Sequence, residues 1–324
     1  MTIMTQRLVL AGLALVSTGC FAQGLQAYPT KPVRMLVGFT AGSELDVVAR
    51  MVGHEMSEKW GQKIVIDNRL GAGGTVAGAI AANAVPDGYT LFFNSVSHTA
   101  SSALYPKLSY SPQRDFAGVS QATSAPNVLL LAPGLDVKSI RDLIEFVRQK
   151  PGQINFGSAG VGSGTHIAGE MFRLGAALKV THIPYKGVPE VVADTITGRI
   201  QYSFAPIGNA LPFVRDKRIA ALAVTTLARS PSLPDVPTIA ETAIPGFDWD
   251  QWYGLFVPAK VPRAIVERLS KEMARSLALP QVRERLAVRG SVAKPSSPEE
   301  FDRFVKAEID KVSKVIRDGG IKLE

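Results

Sequence analysis

Cysteine is nearly missing: Cys20 is the only one in 324 residues. No disulfide can form within one chain, and paired-cysteine zinc spacings are excluded as well. Histidine is scarce, with His54, His98, His166 and His182 making four in all and no H-E-x-x-H pair among them. There is no P-loop, and Ser163 lacks a nucleophile elbow because Val161 stands where the first glycine of G-x-S-x-G belongs. Past the N-terminus no stretch of eighteen consecutive apolar residues occurs, so nothing in the body reads as a membrane span. The lysines and arginines form no run and are not interleaved with aromatics. The net charge of +8 therefore favours anionic partners without pointing to nucleic acid. No cofactor and no metal are expected.

The N-terminus is a separate matter. Arg7, the apolar LVLAGLALVSTG and then Cys20-Phe21-Ala22 match a secretory signal peptide, with cleavage expected after Ala22. Cys20 offers a lipid anchor as the alternative. Loss of residues 1–22 removes only Arg7, so +8 minus one leaves +7. An exported chain without disulfides must be held by its core, and this chain is long enough to build one.

From residue 28 onward, strand-like and helix-like runs alternate. VRMLVGF (33–39), KIVIDN (63–68), YTLFFNS (89–95) and VLLLAP (128–133) read as strands. LDVVARMVGHEMSEKW (45–60), TVAGAIAANAV (75–85) and SIRDLIEFVRQK (139–150) read as helices. The alternation resumes in INFGS, KVTHIP (179–184), VVADTITG (191–198), IQYSFAP (200–206) and IAALAVTT (219–226). It predicts an α/β protein with a largely parallel sheet. Five prolines between 231 and 258 mark a change of character, and helices are expected at 262–278, 280–288 and 298–317. Ser297-Pro298-Glu299-Glu300 is a helix-start signal. Two α/β units emerge, with crossings near 124–128 and 227–250, and a cleft between them is the architecture of a solute receptor.

Four strand-to-helix turns carry small polar residues at that cleft. The turn INFGSAGVGSGTH (154–166) is the richest, since glycines let backbone approach a ligand and a helix N-terminus supplies free N–H groups. The others are FTAGSELD (39–46), GAGGTVAG (71–78) and NSVSHTAS (94–101), the last with Asn94 and Ser95. Asp46 reads either as a ligand contact or as a helix-start charge pairing with Arg50. Glu44 is odd in an anion site; it points to solvent or receives an amine. His54 and His182 read as packing or surface residues, while His98 and His166 lie on cleft turns.

The stretches YPTKPVRMLVGF, GQKIVIDNRLGAGGTVAG, PDGYTL, LYPKLSYSPQRDFAGVS, NFGSAGVGSGTHIAGEMF, HIPYKG, ALAVTTLARSPSLPDVPTIAE and PGFDWDQWYGLFVPAKVP, in this order, resemble the Bug, or TctC-like, extracytoplasmic receptors of tripartite tricarboxylate transporters. The resemblance implies a periplasmic, two-domain Venus-flytrap fold of the type II-like periplasmic binding proteins, and the two units with two crossings predict a monomer that bends at its hinges to close on its ligand. The first domain would span 28–126 plus 240–324 and the second 127–239. The resemblance also implies a small carboxylate ligand, a dicarboxylate or an aromatic acid, and two membrane subunits, or a membrane sensor, as partners. By position it implies ligand contacts from Phe39, Thr40, Ala41, Gly42, Ser43 and Asp46 in one jaw. Ser158, Ala159, Gly160, Ser163, Thr165 and His166 would form the other, with Phe204 and Ala205 at a strand end facing the cleft. The first loop departs from the family: Thr40 and Ala41 replace two prolines, Ser43 and Glu44 replace glycines, and Gln201 stands where aspartate is common. No lysine or arginine lies in either jaw. Phe39, Phe204, Trp252 and Tyr253 are candidate aromatic walls. A secreted hydrolase using Ser163 and His166, and an orphan sensor subunit, are the competing readings.

Overall fold

The computed structural model describes residues 28–322; the signal segment expected at 1–22, with Cys20, lies outside them. Strand β1 (Val33–Val37) is flanked in parallel by β2 (Ile64–Asn68) and β3 (Thr90–Ser95). The long β4 (Phe116–Leu131) passes through two sheets. Its first half pairs with β9 (Asp250–Pro258) up to Pro126, opposite Asp250. From Asn127 it pairs with β7 (Tyr202–Pro206), and from Val128 also with β8 (Ala220–Val224). Parallel strands β5 (Asn155–Ser158) and β6 (Thr181–Pro184) extend this second sheet beyond β7. Antiparallel pairing of β9 with β3 completes the first sheet, and the short β10 (Val292–Ala293) borders it on β4.

The helices are α1 (Glu44–Trp60), α2 (Thr75–Ala82), α3 (Val96–Leu104), α4 (Ile140–Gln149), α5 (Gly164–Gly175), α6 (Val188–Ile196), α7 (Ile207–Arg215), α8 (Ile239–Thr242), α9 (Arg263–Ala278), α10 (Pro280–Val288) and α11 (Pro298–Asp318). Their starts obey local rules. The hydroxyls of Ser43, Ser163 and Ser297 cap α1, α5 and α11 by accepting from the amide three residues on, and Glu300 closes a capping box on Ser297.

Three elements depart from the sequence reading. The sheet is mixed, because β4 runs antiparallel to β7, β8 and β9. The apolar run at 128–133 is the end of a 16-residue strand whose first half, FAGVSQATSAP, is too small and polar to read as one. That half is buried by α11: a Cβ at Gly118 would overlap the Phe301 ring and the Asp302 carboxylate, so glycine there lets the helix close on the sheet. Strand β9 went unread because the prolines just before it suggested irregular chain. The boundary expected at 239/240 also moves. Arg141 Nε donates to the Thr242 carbonyl at 3.0 Å and Trp249 N to the Thr225 carbonyl at 2.9 Å, so residues 240–249 stay with the second sheet and the chain returns at Asp250.

His98, expected on a cleft turn, lies inside α3, caged by Phe92, Phe116 and Phe256 with ring centroids 5.7, 5.0 and 4.4 Å away. Burial pushes its pKa down to about 4, so it is a neutral packing group.

Candidate functional site

Where β4 leaves one sheet for the other, the loops at the carboxyl ends of the strands meet around a cavity of about 30 Å³. Its wall contains Ser43, Glu44 and Leu45 at the start of α1 and Ser95 at the start of α3. Ser163, Gly164 and Thr165 come from the start of α5, Val188 from α6 and Pro206 from the residue before α7. Five helix N-termini thus converge on one small volume. Each carries a partial positive charge and amides without intrahelical partners. Among these, the amides of Gly164 and Thr165 have no partner among the described residues. Phe39, Ala159, Gln251 and Tyr253 complete the wall. Among the described residues no group of histidine, cysteine and carboxylates is placed to hold a metal ion.

The second jaw is tied tightly. Thr165 Oγ1 accepts from Ala159 N at 2.9 Å and shares a hydrogen bond with Ser163 Oγ at 3.0 Å. Gly160, at φ +111°, lets the chain double back between Ser158 and the helix. Ser158 faces away from the cavity: its hydroxyl bonds His182 Nε2 at 2.6 Å and accepts from Gly160 N at 3.2 Å. His166 is also turned away, stacked on His182 with centroids 4.0 Å apart, and its Nδ1 accepts from Gly162 N at 3.1 Å. Burial first, then the charges of His182 and Arg173, hold the His166 pKa well below its ordinary value. The Ser163 hydroxyl instead accepts from the His166 backbone amide at 3.2 Å. Nucleophile and base are therefore not joined, and the Ser163/His166 hydrolase loses its geometry.

The first jaw corrects several expectations. Asp46 does not line the cavity. Its Oδ2 accepts from Gly42 N at 3.0 Å and Arg50 Nε at 2.9 Å, and its Oδ1 from Asn68 Nδ2 at 3.0 Å. Burial would raise its pKa, but the hydrogen bonds from Arg50, Gly42 and Asn68 win, and the carboxyl is held below its ordinary range. It shapes the loop. Ala41 and Gly42 are exposed, and Thr40 reaches across to Glu190 Oε2 at 3.4 Å. Asn94 is outside the wall, and its Oδ1 accepts from the Ser97 hydroxyl at 2.8 Å. Neither Phe204 nor Ala205 is in the wall, where Pro206 stands. Strand alternation turns Phe204 onto Phe172, 5.9 Å between centroids. The same alternation along β9 puts Gln251 and Tyr253 in the wall and Trp252 on the far side, where its Nε1 donates to Glu308 at 3.1 Å.

Glu44 neither meets solvent nor stands free. It is fully buried, and Arg289, just past α10, grips it through Nε at 3.0 and 3.1 Å and through Nη2 at 2.5 Å. Arg289 Nη2 also donates to the Gly208 carbonyl at 3.3 Å. Beside this pair the two jaws are clasped: Asn209 Oδ1 accepts from Glu44 N at 2.9 Å while its Nδ2 donates to the Gly42 carbonyl at 3.0 Å. Burial, followed by the charge of Glu44, holds the Tyr253 phenol well above its usual pKa, so it stays protonated.

Gln251 escaped the sequence reading along with its strand. Its Oε1 has no partner among the described residues although the side chain is buried, and a Cβ on Gly164 would overlap it.

The tripartite tricarboxylate transporter family receptor model, TctC, matches residues 48–321. The chain belongs to this family. The match starts just after the Thr40–Asp46 loop. The receptor is 37% identical to a Pseudomonas sp. (strain P51) protein encoded between tcbD and tcbE, over 96% of this chain and 94% of that one. It is 30% identical to BugT of Bordetella pertussis over 99% of both. Among solved structures, the R. palustris protein Rpa4515 with adipate superposes with a TM-score of 0.88 at 33% identity, covering 91% of this chain and 99% of that one. MatC of Rhodopseudomonas palustris with bound malate gives 0.85 at 32%, covering 89% and 100%. The periplasmic binding protein BugD gives 0.87 at 28%, covering 92% and 100%. The chain is a solute-binding receptor of this family, and the proteins it resembles bind solutes rather than transform them. No described helix is long and apolar enough to cross a membrane.

Proposed function

We propose that this receptor works in the periplasm, closing two hinged lobes on a small organic carboxylate and presenting it to two membrane subunits of a tripartite transporter. The lobes are the two sheets with their helices, and the hinges are the β4 passage at Pro126/Asn127 and the return at Trp249/Asp250. The observation that carries the reading is the convergence of five helix N-termini on a cavity whose wall holds no lysine, arginine or histidine. An anion there is held by neutral N–H and O–H donors, and such charge-assisted bonds are about twice as strong as neutral ones. Carboxylates bound to Rpa4515 and MatC support the same class. With walls this close, a ligand enters only when the jaws part.

A thermal-shift screen over an organic-acid library tests this. An acid at about a hundred times its Kd should stabilise the receptor by about 2.7 kcal/mol. Acids that leave the melting temperature unchanged throughout, while neutral sugars or amines raise it, would overturn the carboxylate reading.

A further inference from the structure

Among the described residues Glu44 is the one charged side chain in the wall of the cavity, and Arg289, which neutralises it, is not part of that wall. The guanidinium stands behind the carboxylate, with its side chain 27% exposed while that of Glu44 is 0% exposed. Of the pair, only Glu44 contributes to the wall. Arg289 is not free to turn inward, since Glu44 and the Gly208 carbonyl already engage its Nε and Nη2. The donors that hold a carboxylate, the amides at Gly164 and Thr165, belong to the opposite jaw. Between the two poles the wall is apolar, with Phe39, Leu45 and Val188.

We infer that this site takes a monocarboxylic acid whose far end is neutral, and that Glu44 is the residue that turns dicarboxylates away. The inference rests on the carboxylate reading and narrows it. A second carboxylate on the ligand would meet a buried like charge with no free cation to offset it, and such repulsion is an effective way to reject a competitor. A neutral amide or hydroxyl would instead donate to Glu44.

Isothermal titration at pH 7.5 with matched pairs decides the matter: succinate against succinamate, adipate against adipamate, terephthalate against its monoamide. The wild-type receptor should bind the monoamide at least tenfold more tightly than the diacid in whichever pair fits. Glu44→Gln, checked for folding by circular dichroism, should shrink that ratio at least fivefold. A diacid that binds wild-type protein as tightly as its monoamide overturns the charge rule and leaves the carboxylate reading standing. If no acid binds, single or double, the carboxylate reading falls and this inference falls with it.

Discussion

Arg289→Ala should be among the most damaging single substitutions in the receptor, lowering its stability by about 3–5 kcal/mol, the usual loss when one partner of a buried ion pair is removed. Glu44 is fully buried at the first position of α1, and three of its contacts come from Arg289. Without the guanidinium the carboxylate must stay charged with little solvent to help it, take up a proton, or pull the loop open. Glu44→Gln should cost much less, because Arg289 is partly exposed and keeps access to water. Adding Glu44→Gln to Arg289→Ala should therefore restore most of the loss. Urea unfolding of the four proteins gives the coupling directly. A double variant no more stable than Arg289→Ala alone would show that the pair is not a coupled unit.

The second large effect concerns the surface on which the jaws meet. Glycines line it: a Cβ at Gly187 would overlap Thr40, one at Gly208 would overlap Glu44, and one at Gly73 would overlap the Val161 carbonyl. Each contact runs between the two sheets' loops, so added bulk acts on the closed form; at Gly73, with φ +61°, it would also strain the glycine's own loop. Gly187 is the cleanest site, since its φ of −174° is extended backbone that any residue adopts. Overpacking of this kind costs about 1–3 kcal/mol, so Gly187→Val should weaken acid binding roughly 5- to 150-fold. The unliganded melting temperature should change little. Small-angle scattering should show a larger radius for the variant at saturating acid than for the wild type. Unchanged affinity with an unchanged radius would mean that these lobes need not meet this closely.

Much of this architecture is written in short-range patterns. The apolar runs of β1, β2 and β3 and the helix-spaced residues of α1 and α4 give both units, and the glycine-serine turn before α5 marks one jaw. What stayed hidden depends on distant chain. Glu44 reads as an exposed charge until Arg289, 245 residues later, is folded against it. Gln251 joins the wall only because β9 pairs between β3 and β4, and no local signal in DQWYGLFVP announces that place. Ser158, a ligand contact by its place in the turn, is engaged by His182 across the parallel pair β5–β6. Asp46, Asn94 and Phe204 share the opposite lesson. Their positions along the chain are those of ligand contacts, but each side chain is already used to build the frame.

The most direct test is a crystal structure of the receptor with whichever acid stabilises it most. The account predicts the carboxylate at the start of α5, within hydrogen-bond reach of the Gly164 and Thr165 amides and the Ser163 hydroxyl, with Gln251 and Tyr253 closing over it from β9. A carboxylate bound anywhere else, or paired with a lysine or arginine outside this ring of helix starts, would contradict it.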